Sequence, residues 1–104
     1  MPTRKFSSQA KVFKALGQET RLFIVDELSR GERCVCELTK MVGVDMSTIS
    51  KHLSLLREAG IIASDKRGVQ VYYRLLTPCV LQLFACVQRV YSHTPCEPSE
   101  SNPG

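Results

Sequence analysis

Apolar residues recur at helical spacing along the first half of the chain, switch to alternation near residue 70, and return to helical spacing before the end. Ala10, Phe13 and Leu16 predict a helix over Ser8–Leu16 that Gly17 ends. Leu22, Val25 and Leu28 predict a second, capped by Thr20 and stopped at Gly31. A short helix over about Cys36–Val42, the turn Gly43-Val44-Asp45 and a longer helix over about Met46–Ala59, closed by Gly60, follow in helix-turn-helix rhythm. In the longer helix Ile49, Leu53 and Leu56 share one face, while Ser47, Ser50, Lys51 and Ser54 share another. One side is built to pack and the other to hydrogen-bond.

Past Gly60 the period falls to two. Ile61–Ser64 predicts a strand, Asp65-Lys66-Arg67-Gly68 a turn, and Val69, Val71, Tyr73 and Leu75 alternate with Gln70, Tyr72 and Arg74. This is a β-hairpin with a basic tip. Thr77 as cap and Pro78 at the first position predict a last helix over about Pro78–Ser92, because proline lacks only an N–H that would be unpaired there. Two apolar rows run along it: Val80, Phe84, Val87 and Tyr91, beside Cys79, Leu83, Cys86 and Val90. One row can enter the core of a single chain, and a symmetric homodimer is the simplest cover for the other. The fold class is mainly α with a β-hairpin: a winged helix-turn-helix of about five helices plus a two-stranded wing. It occupies residues 7–92, between a flexible basic arm (1–6) and a flexible tail rich in Pro, Ser and Gly (93–104).

A length of 104 residues suits one such domain and leaves little room for a multidomain enzyme. Lys and Arg outnumber Asp and Glu 14 to 10, and Glu97 and Glu100 lie in the tail, so the domain itself is more basic than the whole. That balance favours a polyanionic partner. No run is long and apolar enough to span a bilayer and the start lacks a secretory core, so the expected location is cytoplasmic, without a membrane partner. No phosphate loop, carboxylate pair or activated nucleophile appears, and neither an enzyme activity nor an organic cofactor is expected.

A helix entering the major groove of duplex DNA needs short polar side chains near its N-terminus. Ser47, Thr48 and Ser50 meet that need, and Lys51, His52 and Arg57 can add base or phosphate contacts. Lys66 and Arg67 at the hairpin tip are placed to follow the backbone or enter the minor groove. Each feature taken alone is ordinary solvated surface; here they arrive together and in order. His52 has three readings, as a base contact, a phosphate contact or a half-buried bridge between helices.

The chain resembles the ArsR/SmtB family of metal-sensing winged-helix repressors. The resemblance rests on ALGQETRLFIVDEL, CVCEL, STISKHLSLLREAGII and DKRGVQVYYRL, together spanning about residues 10–76. It implies a homodimer whose two Ser47–Arg57 helices read a palindromic operator and repress a resistance operon until an inducer ion binds. It also implies a DNA role for Lys66, Arg67 and Arg74.

Five cysteines are an odd number for a disulfide framework. Residues two apart on a regular helix point about 200° from each other, so Cys34 and Cys36 can converge only where the backbone is extended or frayed. The motif therefore belongs at the very start of the short helix, with Arg33 as a nearby cation favouring thiolates. A lone C-x-C is ordinarily two small half-buried residues; within the resemblance it implies ligands for a soft ion. As(III) and Sb(III) take three sulfurs, and Cd or Pb three or four ligands, so a further donor is needed. Family members with this motif often carry it one turn further on, where this chain has Thr39. Cys96 in the tail is the favoured third ligand, ahead of Cys79 and Cys86, which read as small apolar residues on the last helix. That helix has no Asp or Glu, which argues against the zinc or nickel sites some relatives build there. Cd, Pb or Zn, or oxidation of the two thiols, are the alternative signals. A dithiol enzyme is disfavoured, because C-x-C lacks the usual two-residue spacer.

Overall fold

The computed structural model describes residues 2–93. Residues 94–104, Cys96 among them, lie outside the described residues.

Within the basic arm, Pro2–Phe6 forms a 3-10 turn that leads directly into helix α1, Ser7–Leu16. Helix α2 spans Glu19–Leu28, and its cap is Gln18, not Thr20. Gln18 is extended, its side-chain oxygen accepts from the Arg21 N–H at 3.0 Å, and its amide donates to the Thr20 hydroxyl at 3.3 Å. Strand β1 (Arg33–Cys34) runs straight into α3 (Val35–Val42), and Gly43 ends α3 at φ +81°. A left-handed residue is what the sharp turn into α4 (Met46–Glu58) requires, and glycine adopts it without a Cβ penalty.

Strands β2 (Ile62–Arg67) and β3 (Gln70–Leu75) pair antiparallel from Ile62↔Leu75 to Arg67↔Gln70. The expected turn at Asp65–Gly68 is thus corrected: the charged residues continue the strand and the chain reverses at Gly68-Val69, where Gly68 supplies φ +62°. The wing also has a third strand. β1 pairs with β3 through Arg33↔Tyr73 and Cys34↔Tyr72, giving the order β1-β3-β2. Helix α5 spans Val80–Tyr91 with no side-chain cap, so Thr77 and Pro78 do not open it as expected. Their carbonyls instead accept from Val80 and Leu81 in a preceding turn.

The core joins α2, α3, α4 and β2: Ile24, Val25, Leu38, Ile49, Leu53, Leu56 and Ile62 are all essentially sealed from solvent. The α4 stripe Ile49, Leu53, Leu56 packs as its spacing predicted. Leu53→Ala removes a side chain with 0% exposure and is expected to cost about 2–5 kcal/mol in urea unfolding. A change below about 1 kcal/mol would mean that α4 is not anchored this way. Two residues of the helical spacing stay out of the core: Phe13 is 56% and Leu22 38% exposed. Both border an open apolar groove of about 410 Å³, with Leu83, Phe84, Val87 and Tyr91 on its other side. Among the described residues no helix is long and apolar enough to cross a membrane.

Candidate thiol site and nucleic-acid interface

Cys34 sits where extended backbone becomes helix. It is the N-cap of α3, at φ −80° and ψ 159°, and it is buried. Its sulfur accepts from the Glu37 N–H at 3.4 Å, while the Cys34 N–H donates to Glu37 Oε1 at 2.9 Å, closing a capping box. Cys36 lies in the first turn of α3, 5.4 Å away between Cα atoms, and the two sulfurs are joined as a disulfide. The extended cap thus brings together two side chains that a regular helix would hold apart. The N–H groups of the first turn also suit a sulfur carrying negative charge.

The rest of the site differs from expectation. Arg33 does not serve as a free cation beside the sulfurs: its guanidinium lies 3.4 Å from the Glu27 carboxylate and donates to the Glu32 carbonyl at 2.9 Å. Cys79 and Cys86 are exposed, and among the described residues no three His, Cys, Asp or Glu side chains converge on a point that could hold a metal ion. Two sulfurs are a donor pair of the kind a soft ion takes, and no third such ligand joins them among the described residues. Cys36 Sγ does lie 3.6 Å from the Gln70 side-chain oxygen, at the end of the wing.

On α4, Ser47, Ser50, Lys51 and Arg57 are exposed and Thr48 and His52 half-buried, opposite the packed stripe. Asp45 caps the helix, accepting from the Thr48 N–H at 3.2 Å and the Ser47 hydroxyl at 3.0 Å. The bonds from Thr48, then Ser47, hold its carboxyl below the usual range, so an anion already occupies the helix N-terminus. Arg57 reaches Ser64 at 3.4 Å. Lys66 and Arg74 are exposed. Arg67 is not free at the tip: it forms a two-pronged pair with Glu32 at 2.9 and 2.7 Å, touches Asp65 at 3.0 Å and lies 4.8 Å over the Tyr72 ring. Its pKa is raised, first by the bond to Glu32 and then by that to Asp65. Sequence reasoning missed Glu32, Asp45 and Gln70, and only the helix-capping position of Asp45 carried a local signal.

His52 bridges helices. Its Nδ1 lies 3.3 Å from Arg21 Nη1, and because a guanidinium only donates, Nδ1 accepts and the ring is neutral with its proton on Nε2. Burial, then the Arg21 charge, lowers its pKa from 6.5. The unfolded chain therefore binds more protons than the folded one below pH 6.5, and stability falls as pH drops through the lowered value. Urea unfolding between about pH 7.5 and 5 is expected to show that decline in the parent and a flatter profile in His52→Gln. Identical slopes would exclude the brace.

Residues 18–64 match the family model described as bacterial regulatory protein, arsR family. Over 66 residues the chain is 48% identical to the arsenical resistance operon repressor of Escherichia coli, covering 62% of this chain and 56% of that protein. The chain spans little more than half that relative's length. Over 85 residues it is 42% identical to a cadmium resistance transcriptional regulatory protein CadC homolog of Staphylococcus aureus, covering 81% of this chain and 68% of that one. The solution structure of a homodimeric winged helix-turn-helix DNA-binding domain from Mycobacterium bovis, a possible ArsR-family regulator, matches with TM-score 0.71 and 36% identity. That match covers 83% of this chain and 80% of the other. A capped helix-turn-helix, a sheet-forming wing and this extent of identity together place the chain in the ArsR family of bacterial regulatory proteins.

Proposed function

We propose that the protein is a transcriptional repressor that binds double-stranded operator DNA as a homodimer in the cytoplasm. It releases the operator when Cys34 and Cys36 take up a soft ion, As(III) or Sb(III) foremost. The observation that carries this reading is the place of the cysteine pair, at the cap of the helix that packs directly on α4. Whether the sulfurs are joined to one centre or apart fixes where α3 begins, and α3 supports α4, which carries the surface formed by Ser47, Thr48, Ser50, Lys51, His52 and Arg57. Cys96 is the proposed third donor, and similarity to regulators named for arsenical and cadmium resistance supports an ion of this class.

A second reading, oxidation of the pair, is favoured by one specific observation: the sulfurs already lie in bonding contact. One titration separates the two. An operator duplex selected from a random-sequence pool by the reduced protein is challenged with arsenite, antimonite, cadmium, lead or peroxide, using parent and Cys96→Ser proteins. The ion reading expects release by arsenite and antimonite at low concentration, with more needed for Cys96→Ser. Release by peroxide alone favours the oxidation reading. Operator affinity of the reduced dimer is also expected to fall steeply with salt, at a log–log slope of about −4 or steeper. A flat salt response would remove the DNA-binding reading altogether.

A further inference from the structure

Glu32 and Cys36 bracket the cysteine segment, and each touches the last residues of the wing. Glu32 grips Arg67 with both carboxylate oxygens, and Cys36 Sγ meets Gln70, the β-ladder partner of Arg67. The intervening residues are locked to the same sheet by Arg33↔Tyr73 and Cys34↔Tyr72. The sensor segment and the far end of the wing are therefore one connected piece of structure, and they meet here in the state where the two sulfurs are joined.

A guanidinium presents the same donor fork to a carboxylate as to a phosphodiester, so it cannot fully serve both. We propose that Glu32 is an internal competitor for the DNA backbone, holding Arg67 away from phosphate when the Cys34 and Cys36 sulfurs are drawn together and freeing it when they are apart. The Asp65 contact and the Tyr72 ring steer the guanidinium back along the wing toward Glu32. The wing then becomes a second output of the sensor, reached through β1, alongside the route through α3 and α4. This deepens the proposed function and rests on it, because the cysteine pair must be the sensor and Arg67 a phosphate contact.

The test uses the full chain carrying Cys79→Ser, Cys86→Ser and Cys96→Ser, so that diamide joins only the remaining pair. The two thiols lose two protons and two electrons to the N=N bond of diamide, which becomes the hydrazine. Operator binding is measured by fluorescence anisotropy in the dithiol and disulfide forms, across about 50–200 mM salt. The disulfide form is expected to bind about 3- to 30-fold more weakly. Its log–log salt slope is expected to be shallower by about one unit per protomer, the signature of one lost phosphate contact. Glu32→Gln is expected to recover about 3- to 10-fold of the disulfide form's affinity and to abolish the slope difference, leaving the dithiol form within about twofold. Arg67→Gln should do the reverse, weakening only the dithiol form. Independently of DNA, the Arg67 Nη–H resonances, whose groups donate to Glu32, should be protected from exchange in the disulfide form alone.

A slope difference unchanged by Glu32→Gln overturns the competitor. Equal tightening of both forms overturns its dependence on the sulfurs. A parent protein indifferent to both diamide and arsenite brings down the sensor reading, and the competitor falls with it.

Discussion

Cys34→Ser is expected to keep its fold and its operator, and to stop responding to the inducer. A hydroxyl is a better helix cap than a thiol, and serine followed three residues on by Glu37 restores the capping box that Cys34 now forms. Unfolding free energy should therefore change by less than about 1 kcal/mol, whereas Cys34→Ala, which removes the acceptor for the Glu37 N–H, should lose about 0.5–2 kcal/mol. The response has no such substitute, because a hydroxyl does not replace a thiolate toward a soft ion. The ratio of operator dissociation constants with and without arsenite, expected at about 5- to 150-fold for the parent, should fall to about one. Anisotropy titrations beside urea melts measure both quantities on one preparation. Release of Cys34→Ser by arsenite at the parent concentration would place the sensor elsewhere in the chain.

What could be read from the chain without a structure divides by the range of the interactions. Helices α3 and α4 begin and end close to where their apolar spacing and the turn Gly43-Val44-Asp45 predict, because these signals act on their own neighbours. The convergence of Cys34 and Cys36 was legible for the same reason, following from the direction in which adjacent residues point. β1 was not, since two residues carry no period and owe their conformation to Tyr72 and Tyr73, far along the chain. The pairs Arg67–Glu32 and Arg21–His52 lie 35 and 31 residues apart, and no local pattern announces either. The exposure of Phe13 and Leu22 was not legible for a related reason. Helical spacing says that a face is apolar but not whether it meets this chain or another.

That last ambiguity yields the other large effect. Val87 is 54% exposed on the groove that α1, α2 and α5 leave open, beside Tyr91 at 80% and Phe13 at 56%. In one chain, Val87→Glu puts a charge into water on a helix and should change folding stability by no more than about 0.5 kcal/mol. In the proposed symmetric dimer the position is buried twice, and an uncompensated buried charge costs about 3–5 kcal/mol. The dimer dissociation constant should rise by about three orders of magnitude or more, which sedimentation velocity resolves. Operator affinity should fall with it, because a monomer engages one half-site and must meet its partner on the DNA at full entropic cost. Thermal melts of the dilute variant separate this outcome from misfolding. A Val87→Glu protein that sediments as a dimer would show that α5 turns this row toward something other than its own copy.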